Sequence, residues 1–249
     1  MTLSLLATTF ALAGSTLSGQ TVASDVPFRP APRRRDALKV LLVTGGDDHD
    51  VSFYSVLDGH DDLDVLVDPH PNAFRGDVTR RAAVVVLYDM VPDLEPERRA
   101  NLQAFVENGG GIVALHHALA GYTGWRWWSE EVVGGRYRHE PEDGHPASSY
   151  LHDVDLLVRP RRAHPITQDL GSFRIHDETY KGLWISPRAE VLLETDHPTS
   201  DGPVAWTFPH PKARVVCIQL GHGREAHLNP AYRRLVRNAV LWAGRRLGP

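Results

Sequence analysis

The sequence predicts an α/β protein built on a doubly wound, mostly parallel sheet with helices on both faces. Short Val- and Leu-rich runs without polar alternation, such as 38–43 and 82–88, are typical of strands buried on both faces. A stretch with helical spacing follows the second run and leads into a further apolar run, 112–115, so the three segments form a strand–helix–strand unit. Three apolar runs lead into histidines, which a parallel sheet would gather at its carboxyl edge: His49, His116 and His222.

The elements of the first half follow from apolar runs and helix signals. Strands are expected at Leu38–Val43, Leu63–Val67 (the weakest), Ala82–Tyr88 and Ile112–Leu115. A helix is expected before the last of these, because Pro96 suits a first helical turn and Asn108-Gly109 supplies a stop.

The second half is less regular until its end. Residues 122–186 are rich in Trp, His, Arg and Gly, with short strands expected at Val154–Val158 and Phe173–Ile175. So long an irregular stretch favours a lid or binding loop. A buried strand is expected in the run Val215–Leu220, and a helix that starts at Asn229-Pro230 closes the domain.

Length and composition favour one globular domain, predicted to span 38–249. The chain has 249 residues, 42% of them hydrophobic and 23% charged, which suffices for one substantial core. Its net charge of -4 offers no basic surface for nucleic acid. We therefore expect no nucleic-acid role.

The chain has a single cysteine, Cys217, which excludes an internal disulfide and a thiolate metal cluster. Because this cysteine lies inside an apolar run, we expect a buried, inert side chain rather than a nucleophile. Any bound metal would use His, Asp or Glu ligands.

The amino-terminal segment has the features of an export signal. Residues 1–23 are apolar and contain no charged side chain, which predicts a signal peptide, and 24–37 are expected to form a linker. The protein would then be periplasmic or extracellular, and cytoplasmic if the leader is not a signal. No apolar run is long enough for a permanent membrane anchor.

A succession of motifs between about Lys39 and Gly244 resembles the ThuA-like (trehalose utilisation) family. The motifs, in order, are GGDDHD, VVVLYDM, FVENGGGIVALHHA, GGRYRH, HPIT, HDETYKG, PVAWT and QLGHGREAHLNPAYRRLVRNAVLWAG. The resemblance implies a flavodoxin-like sheet related to class I glutamine amidotransferases. It also implies a role in carbohydrate catabolism, on oxidised (keto) disaccharides such as those derived from trehalose.

The amidotransferase relationship does not extend to glutaminase chemistry. Those enzymes place a cysteine nucleophile on a sharp turn after a strand, where this chain has His116. His222 keeps the position of their late catalytic histidine. Without a thiol, the site is suited to proton transfer or to metal binding.

The candidate catalytic and substrate-binding residues form two groups, each with a structural alternative. The catalytic candidates are His116, Asp177, Glu178, Tyr180 and His222, although the segment 176–180 could equally be an exposed loop. The substrate-binding candidates are His49, Asp48, His117, Arg136, His139 and Trp125, for which loop capping, core packing or a solvated basic loop are the alternatives. His152, His227 and most other histidines are expected at the surface.

Two hypotheses of function remain at this stage. In the first, the protein is an isomerase, lyase or hydrolase acting on a sugar or keto-sugar, with acid–base groups and with a divalent metal, zinc or similar, held by His49, His116 and His222. In the second, the fold is a carbohydrate- or partner-binding module without turnover. Imidazoles concentrated beside carboxylates favour the enzyme.

Overall fold

The structure is a computed structural model, and it describes residues 33–248. A nine-stranded mixed sheet has the order β2-β1-β3-β4-β11-β10-β9-β6-β7. The strands are β1 Leu38–Gly45, β2 Leu63–Val67, β3 Val84–Asp89, β4 Gly111–Leu115, β6 Ser149–Pro160, β7 Phe173–Lys181, β9 Glu190–Thr195, β10 Pro203–Pro209 and β11 Arg214–Ile218. Two short strands, β5 Gly135–Arg136 and β8 Trp184–Ile185, form a separate pair.

The first five strands of the sheet are parallel and the other four pair antiparallel. The α-helices are α1 Pro96–Glu107, α2 Arg224–Leu228 and α3 Pro230–Ala243. Within the described residues, the crossovers β1–β2 and β2–β3 contain only short 3-10 helices, Val51–Ser55 and Val78–Arg80. The expected α/β class is therefore confirmed, whereas the doubly wound arrangement with a mostly parallel sheet is not.

The core has one layer on each face of the sheet. Leu102 and Phe105 of α1 pack on one face, and Leu235 and Val236 of α3 pack on the other. Pro96 begins α1 as its sequence predicted, and the side chain of Asn229 caps α3 by accepting two backbone N–H bonds.

The stretch 122–186, expected to be irregular, contains a long antiparallel hairpin of β6 and β7. Both strands extend well beyond the short segments predicted at 154–158 and 173–175. The first five residues of β6 are exposed and mix polar side chains with Tyr150 and Leu151, so this part of the strand lacks the continuous apolar run on which the prediction depended.

Parts of the predicted amino-terminal segments lie outside the described residues, including all of 1–23. Of the expected linker, 33–37 form a turn in which the Arg34 backbone N–H donates to the Asp61 carbonyl (2.9 Å). In the described part of the chain no helix has the length and apolarity needed to cross a membrane.

Candidate functional site

Three polar side chains from distant parts of the chain meet at one edge of the sheet. His116 follows β4, His222 follows β11, and Glu178 lies near the end of β7. Because β7 runs in the same direction as the parallel strands, its carboxyl end reaches the same edge. His116, His222 and Glu178 form the cluster that we call the His–Glu–His cluster.

His116 occupies a sharp turn between β4 and the 3-10 helix His116–Ala120. Its backbone is in the left-handed region (φ 49°), which is strained for a side chain of this size. Its Nδ1 donates to the Gln219 carbonyl (2.9 Å), so the Nε2 lone pair faces His222 Nδ1 at 3.1 Å. Burial holds the pKa of His116 well below its ordinary value, so the ring is neutral at neutral pH.

Glu178 is the buried carboxylate of the cluster. Its Oε2 lies 2.7 Å from Nδ1 of His152 and 3.1 Å from Nδ1 of His222. Burial and the neighbouring charge of Asp177 raise the pKa of Glu178 to about 7. A carboxyl group in this range can both accept and return a proton near neutral pH.

Asp177 is fully engaged by the backbone. Its carboxylate accepts N–H bonds from Glu178, Gly221 and His222, each 2.8 Å long. Burial raises its pKa to about 6 despite these three bonds, which lower it. Asp177, expected among the catalytic groups, thus holds the backbone that carries His222 and Glu178.

Tyr180 stacks on the cluster. Its ring lies 5.2 Å from that of His116, nearly parallel to it. Burial, and then the charge of Glu178, hold the phenol pKa well above its ordinary value, so the hydroxyl keeps its proton.

The loop 219–223 after β11 is held from its other side by Tyr88 and His227. The hydroxyl of Tyr88 donates to the Gly221 carbonyl (2.7 Å), and Nε2 of His227 lies 2.9 Å from the same oxygen. Nδ1 of His227 contacts the Ser52 hydroxyl at 2.9 Å. The expectation that His227 lies at the surface was wrong, because this side chain is buried between the loop and the first crossover.

His152 is a site residue that the sequence did not indicate, because its position depends on a β-bulge. Leu151 pairs with Thr179 and Val154 with Asp177, so β6 has one extra residue opposite β7. Asp153, in the bulge, has a left-handed backbone conformation (φ 56°), and the side chain of His152 beside it contacts Glu178. Its side chain is 46% exposed, as expected, yet it contacts the cluster.

The other substrate-binding candidates near β1 and β4 surround Tyr88. The rings of His117 and His49 lie 4.3 Å and 5.5 Å from the Tyr88 ring. Nδ1 of His117 is 3.9 Å from an Asp47 carboxylate oxygen, and Nε2 of His49 is 3.2 Å from the Tyr54 hydroxyl. Asp48 is exposed and makes no side-chain hydrogen bond among the described residues.

A cleft of about 760 Å³ is lined by residues that include Tyr137, Arg136 and His139, and the three residues of the cluster do not line it. The Tyr137 ring lies 5.5 Å from the ring of Tyr180, which in turn stacks on His116. Arg136 is ion-paired with Glu142 at 2.7 Å, and His139 Nε2 donates to the Ala120 carbonyl at 2.8 Å.

Trp125 lies in the core rather than on the cleft surface. Its ring is 7% exposed and stacks between Trp127 and Trp128. The position of Trp125 therefore matches the alternative given for it, packing in the core, rather than a sugar-binding platform.

The His–Glu–His cluster is also the group of described residues whose donor atoms could hold a metal ion. One ligand atom from each residue lies within 4.8 Å of the other two. The metal set expected from the sequence contained His49, His116 and His222, so Glu178 stands in this group where His49 was expected.

Comparisons with known proteins identify the family and the fold. The family model for ThuA, described as trehalose utilisation, matches residues 39–243. No curated protein matches the chain.

Several solved structures share the fold at low sequence identity. A putative ThuA-like protein from Parabacteroides merdae is 20% identical, with a TM-score of 0.73 over 84% of this chain and 90% of that one. Another from Bacteroides uniformis is 20% identical, with a TM-score of 0.64 over 86% and 95%. A β-galactosidase from Bacillus circulans is 14% identical, with a TM-score of 0.54 over 82% of this chain and 31% of that one.

Proposed function

This chain belongs to the ThuA family, described as trehalose utilisation, and on that premise we propose that it is an enzyme that cleaves a keto-disaccharide by proton transfer. The family gives the protein a carbohydrate-related role. The substrate and the reaction are our proposal. The proposed reaction is not that of a glutaminase, because His116 stands where such an enzyme needs a cysteine thiol.

The observation that carries the proposal is the position of Glu178, a buried carboxylate whose Oε2 lies 2.7 Å from Nδ1 of His152 and 3.1 Å from Nδ1 of His222. The Glu178 pKa of about 7 suits a group that removes a proton and later returns it at neutral pH. A module that only binds sugar needs aromatic platforms and neutral hydrogen-bonding groups rather than a buried carboxylate between two imidazoles. Catalysis is therefore favoured over binding alone.

The proposed reaction is a β-elimination. A ring carbonyl acidifies the neighbouring C–H bond, and Glu178 takes that proton. The electron pair forms a carbon–carbon double bond and breaks the bond between the anomeric carbon and the glycosidic oxygen. Glu178 returns the proton to this oxygen, so the products are an unsaturated keto-sugar and a free sugar.

Tyr180 is suited to stabilise the negative charge that develops on the carbonyl oxygen. Its hydroxyl keeps its proton because its pKa is raised, and it lies beside the cluster. A donor that is already in place when charge develops lowers the barrier of such a step. The cleft that Tyr137 lines has room for a disaccharide, since its volume of about 760 Å³ lies within the usual range for small-molecule sites. A sugar bound there would reach the cluster past Tyr137, whose ring lies 5.5 Å from that of Tyr180.

Glu178→Gln tests the proposal. With 3-keto-trehalose as substrate, we expect wild-type protein to release glucose and Glu178→Gln to lose about 10²–10⁴-fold in kcat, the usual contribution of a general base. Unmodified trehalose should not be cleaved, because it has no carbonyl to acidify the C–H bond.

The control is His176→Ala, which removes an exposed histidine of the same strand that pairs with Asp155 (2.9 Å) outside the cluster. Its rate should match that of wild type. Equal rates for wild type and Glu178→Gln, or binding of the keto-sugar without turnover by wild type, would refute the proposed function.

A further inference from the structure

We propose that the His–Glu–His cluster binds one divalent transition-metal ion of the zinc type through His116 Nε2, Glu178 Oε2 and His222 Nδ1. The binding of the ion is inferred from the ligand geometry. Its role as the electrophile in catalysis rests on the proposed function. Two histidines and one glutamate are a ligand set found in catalytic zinc sites, where the fourth position stays open for water or substrate.

The distances within the cluster match a metal coordination sphere. His222 Nδ1 lies 3.1 Å from His116 Nε2 and 3.1 Å from Glu178 Oε2. Ligand atoms about 2.05 Å from a tetrahedral zinc ion lie roughly 3.3 Å apart. These two separations are close to this value, and the third pair, His116 Nε2 and Glu178 Oε2, lies within 4.8 Å, so binding an ion would require the side chains to move together.

When Glu178 is ionised, hydrogen bonding among the three ligand atoms leaves one of their contacts without a proton, and the remaining donor near His116 Nε2 is the Tyr180 hydroxyl at 3.3 Å. The Gln219 carbonyl can only accept, so the proton of neutral His116 is on Nδ1 and its Nε2 is a lone pair. Nδ1 of His222 then faces two acceptors, this lone pair and the Glu178 carboxylate, with a single N–H. A cation between the three atoms satisfies all of them.

The surroundings of the three ligands have the outer contacts that metal ligands usually have. His116 donates its second ring N–H to a backbone carbonyl, which fixes the tautomer that binds a metal. His152 Nδ1 lies 2.7 Å from Glu178 Oε2, and Asp177 accepts the backbone N–H groups of His222 and Glu178. These contacts hold each ligand in the orientation described.

The ion would act as a Lewis acid on the sugar carbonyl. The His222 side chain is 42% exposed, so the cluster is open to solvent on that side and a ligand can reach it. Both imidazole contacts of Glu178 use Oε2, which leaves Oε1 for proton transfer. A cation on Oε2 would lower the pKa of Glu178 below its value in the metal-free protein. The ion would offset this loss of basicity, because polarising the carbonyl makes the neighbouring C–H bond more acidic.

Titration of the tag-free, chelator-treated chain with Zn²⁺ by isothermal calorimetry tests the inference. We expect one Zn²⁺ per chain. His222→Ala and Glu178→Gln each remove a ligand, and both should weaken binding by more than the roughly 10–100-fold loss expected for the outer residue in His152→Ala. His222 is partly exposed and Gln keeps the shape of Glu, so both variants should fold, which circular dichroism can verify.

His176→Ala is the matched control, because His176 contacts Asp155 and Asp153 on the same hairpin and would account for adventitious zinc. Its stoichiometry and affinity should equal those of wild type. Absence of binding by wild type, or equal affinity in His222→Ala and wild type, would overturn the inference. Cleavage of 3-keto-trehalose that persists in chelator would refute the metal alone, whereas zinc binding without any cleavage would refute the proposed function alone.

Discussion

At the scale of single residues, the candidate site is held in place by buried polar groups whose hydrogen bonds go to the backbone and to neighbouring side chains. Asp177 accepts three backbone N–H bonds. His227 joins the Gly221 carbonyl to the Ser52 hydroxyl. A buried polar group is tolerated only when its hydrogen bonds are made, so each of these residues fixes the position of the loop that carries His222.

The protonation of His227 links this arrangement to pH. Burial lowers the pKa of His227 from its ordinary value of 6.5. Below pH 6.5 the unfolded chain therefore binds a proton at this residue more readily than the folded chain does. The stability that neutral His227 contributes is present above pH 6.5 and is lost as the pH falls through the window below it.

His227→Gln should make the stability less sensitive to acid, because it removes this titration. Urea unfolding at several pH values should give a free energy of unfolding that falls with decreasing pH less steeply than in wild type, by up to about 1.4 kcal/mol per pH unit. Because the other buried histidines are present in both proteins, the difference between the two curves gives the contribution of His227 to the pH dependence of the free energy of unfolding. Parallel curves for the two proteins would contradict the role given to His227.

At the scale of elements, the site is built by irregularities at the ends of strands. The bulge in β6 brings His152 to Glu178, and the left-handed turn after β4 presents His116. The loop after β11 needs a glycine at Gly221, where φ is +118° and a Cβ atom would lie 2.1 Å from the Tyr232 hydroxyl oxygen. Strained backbone of this kind is common where a functional side chain must be aimed.

Gly221→Ala should therefore destabilise the fold and disturb the cluster. We expect a loss of about 1–3 kcal/mol from the backbone conformation alone, measured by urea unfolding, and weaker Zn²⁺ binding because His222 is the next residue.

Gly223→Ala is the control for this effect. Gly223 is extended, with φ -132°, and a Cβ atom there would have open space. If both variants unfold at the same urea concentration as wild type, the conformational argument for Gly221 is wrong.

At the scale of the whole molecule, a parallel half and an antiparallel half share one sheet. The junction is β11, which pairs parallel with β4 and antiparallel with β10. Cys217 lies in this strand with no exposed surface, and its Sγ faces the Val133 carbonyl at 3.2 Å. Burial raises the pKa of the thiol, so the reactive thiolate is strongly disfavoured.

The reactivity of Cys217 should therefore report global unfolding. In native protein we expect the thiol to resist a maleimide reagent, and in denaturant one thiol per chain should react. Followed by mass spectrometry, the labelling rate should rise together with the unfolded fraction measured by circular dichroism. Rapid labelling of the native protein would show that the central strand opens locally.

Much of the parallel half could be predicted from local pattern. The run 63–67 matches β2, and the other predicted strands of this half differ from β1, β3 and β4 by one or two residues at most of their ends. These strands are buried on both faces, so nearly every residue is apolar and the pattern is strong. In the antiparallel half, β6 and β7 were predicted only in part, and β9 and β10 were not predicted, although β10 is mostly buried.

The sequence by itself determined the α/β class, the family, and the positions of His116 and His222, because a residue just after a buried parallel strand must lie at the carboxyl edge of the sheet. Only the tertiary structure decided that Glu178, a catalytic candidate from the sequence, completes the cluster where His49 was expected, and that His152 contacts it. These side chains depend on the β6–β7 register, which one bulged residue shifts. The position of that bulge follows from pairing between distant segments, which local sequence patterns do not record.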